Sequence, residues 1–378
     1  MKFRLAVSLW CPPNVTRLLW FLFLLVCVSS IAHAQGGSRE SAPFRLTWSQ
    51  GKCVDCQFAC ELGRIQFTSR NEAWAIGCNG PFIPIEQGDQ AGDCIIVHTE
   101  DAGRTWREMS DTDQRAGDAD GPPAFSFLDQ ARGWIAWWNP ADDPKLIRTE
   151  DGGKHWQDIH AKFDQEPLQR LLFFDEKHAY GTLVTSFFRT DDGGHAWTES
   201  KIPHIQFIDR MFFLSREVGW IAGSDGAHFF VFRTDNGGRS WQESQPAQSS
   251  TFALVVDLFF LDQNRGWVVA WNTNVEGPSL FTTIDGGKNW MPEPVSASKG
   301  KGNRVSIVRF VSKKTGFIFA SRDSNGGDLI YTTDGGSHWS NQILSHSVFD
   351  CQVFEGDLLC SAGAGKRFEY LLLTLHPY

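Results

Sequence analysis

Six times along the chain, two short apolar runs flank a polar turn. The segments are IQFTSRNEAWAIG from Ile65, FSFLDQARGWIAW from Phe125, LLFFDEKHAYGTL from Leu171, MFFLSREVGWIAG from Met211, LFFLDQNRGWVVA from Leu258 and VRFVSKKTGFIFA from Val308. A strand, a tight polar turn and a second strand make a hairpin pattern. Runs that are apolar throughout suit strands buried on both faces. Between the hairpins a second stretch recurs: TEDAGRTW (Thr99–Trp106), TEDGGKHW (Thr149–Trp156), TDDGGHAW (Thr190–Trp197), TDNGGRSW (Thr234–Trp241), TIDGGKNW (Thr283–Trp290) and TTDGGSHW (Thr332–Trp339). Its tryptophans follow one another at intervals of 41 to 50 residues, the length of one four-stranded propeller blade.

Each unit is therefore predicted to hold an inner strand, a polar turn and a second strand opened by an aromatic. A third strand ends in Arg-Thr or Thr-Thr, and the tryptophan of the box opens a fourth. After the last box, segments from Phe349, Asp357 and Phe368 supply three more strands, and Phe44-Arg-Leu-Thr-Trp48 supplies a lone one at the other end. Joined, they predict one further blade. The expected fold is all-β: a seven-bladed β-propeller of four-stranded antiparallel blades over residues 44–378, in a single domain closed by an N-terminal strand. A six-bladed ring is the alternative. Closure removes the free sheet edges that invite aggregation.

The box itself has the chemistry of a turn. Asp101, Asp151, Asp192, Asn236, Asp285 and Asp334 can accept hydrogen bonds from amides of their own turns. The glycine pair permits positive φ, with Ala102 replacing the first glycine in the first copy. Trp106, Trp156, Trp197, Trp241, Trp290 and Trp339 offer large apolar surfaces to bury between sheets. One or two acids per copy are too few for calcium, which takes six to eight oxygens, and His155, His195 and His338 are expected to be solvent-facing turn residues. No metal or cofactor is expected.

These boxes resemble the Asp-box, or bacterial neuraminidase repeat, S/T-x-D-x-G-x-x-W. Together with the Gly-Trp strands they are more specifically similar to the photosystem II assembly/stability-factor propellers, over nearly the whole chain from Phe44. That resemblance implies an exported scaffold that binds a membrane-protein partner without catalysis, through an arginine-rich patch that motif matching does not locate in this sequence. The competing class is a glycan-active hydrolase of sialidase type on the same scaffold. Sialidases use an arginine triad, a Tyr/Glu pair and an acidic proton donor. Here the nearest match to their F/Y-R-I-P motif is Phe82-Ile83-Pro84, without the arginine. Of the four tyrosines, Tyr370 and Tyr378 fall in the closing segment, while Tyr180 and Tyr331 fall inside apparent strands. Clustered arginines with paired carboxylates on the central face favour the hydrolase; aromatic and amide residues there favour the binder.

Composition adds an address. Lys2, Arg4 and Arg17, the apolar run Leu18–Val28 and the Ala32-His33-Ala34 cleavage pattern predict a signal peptide over residues 1–34. Val26 before Cys27 does not suit a lipoprotein signal. Its removal takes away three cations, leaving 32 Lys+Arg against 44 Asp+Glu and a formal charge of −12 instead of −9. That acidity argues against nucleic acid or an anionic membrane as the partner. The expected product is periplasmic or secreted and monomeric. It binds a protein or a glycan, and meets membranes only through a partner.

Propeller ligands usually meet the face opposite the boxes. Aligning the second strands sets Asn79, Asn139, Asp225, Asn272 and Arg322 at equivalent loop entrances there, with Trp138 and Trp271 just before two of them. They are the candidate rim, although Asn and Asp also start turns. The Gly/Pro/acid-rich stretch Asn79–Asp93 and the aspartate-rich stretch Ser110–Pro123 are expected to be solvated connectors. Export makes disulfides the expected use of Cys53, Cys56, Cys60, Cys78, Cys94, Cys351 and Cys360. Cys78 with Cys94 and Cys351 with Cys360 are candidate pairs. Cys53, Cys56 and Cys60 lack the second CxxC that zinc wants, and Gln57 after Cys56 excludes the haem motif.

Overall fold

Strand follows strand throughout the computed structural model, which describes residues 42–54, 61–78, 94–109, 124–137, 145–161, 168–244, 252–272, 278–295, 304–321, 326–363 and 370–378. The signal segment, Cys56 and Cys60 lie outside them. Pro43–Tyr378 forms one compact unit. It starts with β1 (Phe44–Val54), β2 (Glu61–Phe67), β3 (Ala73–Cys78), β4 (Cys94–Thr99) and β5 (Thr105–Glu108). Next come β6 (Ala124–Phe127), β7 (Gly133–Trp137), β8 (Lys145–Thr149) and β9 (Gln157–Asp158), then β10 (Arg170–Phe173), β11 (Ala179–Leu183), β12 (Ser186–Thr190) and β13 (Thr198–Lys201). Then follow β14 (Phe207–Phe213), β15 (Gly219–Ser224), β16 (Phe229–Thr234) and β17 (Gln242–Ser244), and β18 (Phe252–Phe260), β19 (Gly266–Asn272), β20 (Pro278–Thr283) and β21 (Met291–Glu293). The chain ends with β22 (Arg304–Phe310), β23 (Gly316–Ser321), β24 (Gly327–Thr332) and β25 (Ser340–Leu344), and with β26 (Ser347–Phe354), β27 (Asp357–Gly363) and β28 (Tyr370–Pro377).

Five sheets have four strands in chain order, and one has eight, ordered β2-β3-β4-β5-β1-β28-β27-β26. β1 is its seam. It lies antiparallel to β28, from Phe44 opposite Pro377 to Gly51 opposite Tyr370. It then continues parallel to β5, with Cys53 opposite Trp106. Around this joint Arg70 reaches Glu355 at 2.7 Å and also Asp357, which in turn meets His376 at 2.8 Å.

The Gly-Trp dipeptide has two distinct tasks. Phe127, Phe213, Phe260 and Phe310, near the ends of first strands, lie with their rings over Gly133, Gly219, Gly266 and Gly316, where a Cβ would strike the ring. The tryptophan that follows serves the next sheet. Trp74 stacks on Phe127 at 3.8 Å, Trp134 on Phe173 at 3.8 Å, Trp220 on Phe260 at 3.6 Å and Trp267 on Phe310 at 3.7 Å, all within 10° of parallel. Box tryptophans then close on these phenylalanines edge-on, as Trp156, Trp290 and Trp339 do. Each such pair contributes about 0.5–1.5 kcal/mol beyond area burial. The ladder is what couples one sheet to its neighbour.

The boxes are repeated hydrogen-bond knots. In every copy the threonine hydroxyl donates to the Asp or Asn and accepts the amide of the second glycine, as from Gly238 to Thr234 at 2.9 Å. The Asp or Asn oxygen also accepts the amide four residues on, at 2.8–3.0 Å. The second glycines all have positive φ, from 77° to 100°, and Ala102 adopts 59°. They do more than turn the chain: Leu372 packs where a Cβ would stand on Gly103, Leu146 on Gly194 and Phe187 on Gly238. His155 and His338 are exposed and bond the aspartate of their own turns, holding Asp151 and Asp334 down at about 2.

First strands join one another in a closed circuit. Gln66 on β2 bonds the backbone of Phe127 on β6, and Ser126 accepts the Phe173 amide on β10. Arg170 donates to the Asp209 carbonyl on β14, and Asp209 accepts the Val255 amide on β18. Asp257 accepts the Val308 amide on β22, Arg309 donates to the Cys351 carbonyl on β26, and Asp350 accepts the Ile65 amide back on β2. These strands therefore ring a common axis.

Cys351 and Cys360 form a disulfide between directly opposed residues of β26 and β27. The register also sets Cys78 opposite Cys94 at the ends of β3 and β4. Cys53 is disulfide-bonded.

Candidate functional site

Charged residues interrupt the apolar first strands at one recurring place. Immediately before each apolar run stand Arg64, Ala124, Arg170, Arg210, Asp257 and Ile307, and Asp350 takes the same position before Cys351. The strand pairing explains how a charge is tolerated there. Register shifts fall between Leu62 and Ile65, Ile208 and Arg210, Val255 and Asp257, Val305 and Ile307, and Val348 and Asp350. A bulge of this kind bends the strand and re-aims a side chain, here away from the sheet interior.

Charged residues of several first strands lie within electrostatic reach of one another around the axis. Arg64, Arg170 and Arg210 come from three separate sheets, yet each lies in the field of the others. Burial pushes Arg64 below its ordinary value, with Asp350 opposing and Arg210 adding to the fall. Burial also pushes Arg170 well down, and Arg210 and Arg64 push it further. Arg309 is engaged elsewhere, 2.6 Å from Asp257 and 3.9 Å from Asp350. Arg170 and Arg210 both donate to the Asp209 carbonyl, Arg210 at 2.7 Å, while Arg64 lies near Asp350 and Arg210. The cluster carries a local excess of positive charge in an acidic chain.

The carboxylates are mostly committed to the backbone. Asp209 accepts from the Val255 amide at 2.9 Å, Asp257 from Val308 at 2.8 Å, and Asp350 from Ile65 at 3.1 Å and Cys351 at 2.9 Å. Burial raises Asp209 to about 6, against the Val255 amide and Arg210; burial also raises Asp350, against Arg309. An unfolded aspartate titrates near pH 4. A raised folded value means that the contribution of Asp209 is complete below about pH 4 and is lost as pH rises through about 6. Asp209→Asn is expected to keep the Val255 bond and flatten this fall, gaining about 1–2 kcal/mol on the native chain between pH 4 and 7. Denaturant titrations of both proteins at the two pH values measure the difference; parallel pH profiles contradict it.

Of the candidate rim, Asn79, Trp138, Asn139 and Arg322 lie outside the described residues, and Asn272 is described only as backbone at the end of β19. Asp225 is bound within its own turn, accepting the amides of Ala227 and His228 at 2.8 and 2.6 Å, with His228 Nδ1 3.3 Å away. Trp271, half-buried on β19, stands opposite Leu254 of β18. The axial cluster was not among the sequence candidates. Its signal was the charged column just described, which becomes visible only when the residues preceding the apolar runs are aligned as well. Tyr180, a candidate hydroxyl for a hydrolase, is instead buried, donates to the Arg216 carbonyl at 2.5 Å, and is pushed up to about 12 mainly by burial. Tyr331 packs edge-on against Phe44.

No protein-family model and no curated protein matches this chain. Solved structures do. YCF48 bound to D1 peptide is 17% identical, covering 89% of this chain and 96% of its own, with a TM-score of 0.61. YCF48 from Cyanidioschyzon merolae is 18% identical over 87% of this chain and 99% of its own, at 0.60. The GH74 xyloglucanase from Xanthomonas campestris is 13% identical over 78% of this chain and 49% of its own, at 0.56. These likenesses show the β-propeller fold.

Proposed function

We propose that this chain is an exported, non-enzymatic, seven-bladed β-propeller that binds a protein partner at its axial face. It would act as a scaffold or assembly factor for a membrane or envelope complex. Clustered arginines beside carboxylates are the feature expected of the hydrolase, but Asp209, Asp257 and Asp350 are tied to backbone amides instead of forming a free catalytic pair. The grouping of Arg64, Arg170 and Arg210 is therefore read as a receptor for a partner's carboxylate and carries the proposal. Guanidinium groups pair with carboxylates in bidentate fashion. Arg64 and Arg210 sit at strand bulges, and Arg170 and Arg210 are both anchored on the Asp209 carbonyl before any partner arrives. The closed circuit of first strands, with β1 completing the sheet of β26–β28, supports the seventh blade. The likeness to YCF48 bound to D1 peptide supports a peptide or protein as the ligand class.

Affinity capture from an envelope fraction tests it. Arg64→Gln with Arg210→Gln is expected to reduce retention of the partner by tenfold or more, each lost charge-assisted contact being worth about 1.5–3 kcal/mol, with the melting curve preserved. Undiminished retention rejects the axial site. The raised carboxyls of Asp209 and Asp350 beside Arg170 favour a second reading, glycan hydrolysis. Turnover of a chromogenic glycoside that disappears in Asp209→Asn would establish that one instead.

A further inference from the structure

Phe207 and Leu254 are large apolar side chains left 54% and 47% exposed on strands whose other described apolar side chains are buried or half-buried. Phe207 opens β14, three residues before Arg210. Leu254 immediately precedes Val255, whose amide donates to Asp209 at 2.9 Å. The pair thus flanks the hydrogen bond that ties β14 to β18. With a rise of about 3.4 Å per residue, Phe207 lies within about 10 Å of Arg210 along the strand. Behind Leu254, across the strand pair, stands Trp271. Exposed apolar groups at the edge of a charged cluster mark a place where part of a ligand is taken out of water.

Resting on the reading of the axial face as the partner site, we infer that this corner recognises an apolar side chain set beside a carboxylate in a peptide segment. The carboxylate is received by Arg64, Arg170 and Arg210, and the neighbouring apolar side chain lies on Phe207 and Leu254. Charge complementarity fixes the sign: the chain is acidic as a whole, at −9, whereas at the axis Arg64, Arg170, Arg210 and Arg309 outnumber Asp209, Asp257 and Asp350. Phe207 and Leu254 are then specificity residues, separating apolar-acidic segments from merely acidic ones.

Three labelled Gly/Ser peptides, capped at both ends, test this by anisotropy titration against the full chain. One carries leucine beside aspartate, one aspartate alone, and one leucine beside asparagine. The leucine–aspartate peptide is expected to bind at least tenfold tighter than either other. Phe207→Ser with Leu254→Ser should make the two aspartate peptides equal without shifting the melting curve, since both side chains are exposed. Equal affinity of those two peptides for the native protein overturns the inference and leaves the axial face a carboxylate site. Tight binding of the leucine–asparagine peptide also overturns it. Binding of neither aspartate peptide overturns the axial reading itself.

Discussion

Gly238→Ala is expected to lower stability by about 2–4 kcal/mol, toward the severe end of single substitutions, and to lower the melting temperature by about 5–10 °C. Two penalties combine at this one atom. Gly238 has φ +77°, where a Cβ costs roughly 1 kcal/mol. The added methyl also falls onto Cε1 of Phe187, a ring only 1% exposed and packed against Trp241. Overpacking a rigid interior costs about 1–3 kcal/mol more, and Phe187 is packed against Tyr180, Phe213 and Trp241. Gly356→Ala separates the terms, because Gly356 has φ +85° but nothing within 4 Å of its Cβ position. It should lose only about 1 kcal/mol. Equal losses in the two variants would show that backbone strain accounts for the whole effect and that contact between sheets does not.

Deleting β1 is expected to make the chain aggregate. Its residues Phe44–Gly51 pair with β28, and Lys52–Val54 cover part of β5. Phe44, 4% exposed, sits edge-on against Phe317 and Tyr331 of the adjoining sheet at 5.4 and 5.0 Å. Losing it strips the ladder partner from β28 and opens a cavity over those two rings. A single buried Phe lost to Ala costs about 3–5 kcal/mol, and the unpaired β28 edge, Leu371–Leu375, is apolar and flat enough to template another chain. Size-exclusion chromatography of the truncated chain should show high-mass species and little monomer. Recovery of full solubility by adding a synthetic peptide of residues 44–54 would tie the defect to the missing strand. A stable monomer without the strand would mean that the other sheets hold the ring unaided.

Repetition explains what could be foreseen in the sequence. Six hairpins and six boxes each state the same local solution, so an ambiguous copy such as LLFFDEKHAYGTL is resolved by its sisters. The lone Phe44-Arg-Leu-Thr-Trp48 strand could be paired with the C-terminal strands because those lacked a box. The candidate site was harder for a physical reason. Ligand positions were sought at the ends of second strands, where Asp225 turns out to be consumed by its own turn. The charges at the axis sit inside first strands, where Arg64 or Arg170 looks like an interruption of an apolar run. At Arg64 and Arg210 a bulge that shifts register without any marker residue re-aims the side chain, and at Arg170 the contact with the Asp209 carbonyl belongs to another sheet. The closing glycine of each box was likewise legible as a turn residue, but its second duty, leaving room for Phe187 or Leu146, depends on a neighbour in another sheet.

The double pairing of β1 also sets an order in time. Phe44 is opposite Pro377 and Gly51 is opposite Tyr370, so the strand nearest the N-terminus cannot complete its ladder until the one nearest the C-terminus has emerged. Contacts of such long sequence separation form late and slow the overall rate. Throughout synthesis the intermediate sheets can assemble one on another, while both ends of the arc stay unsatisfied. A prematurely terminated chain therefore never passes the final step and keeps an open, sticky edge. The seam acts as a check on the chain: only a polypeptide that carries both β1 and β28 becomes a closed ring.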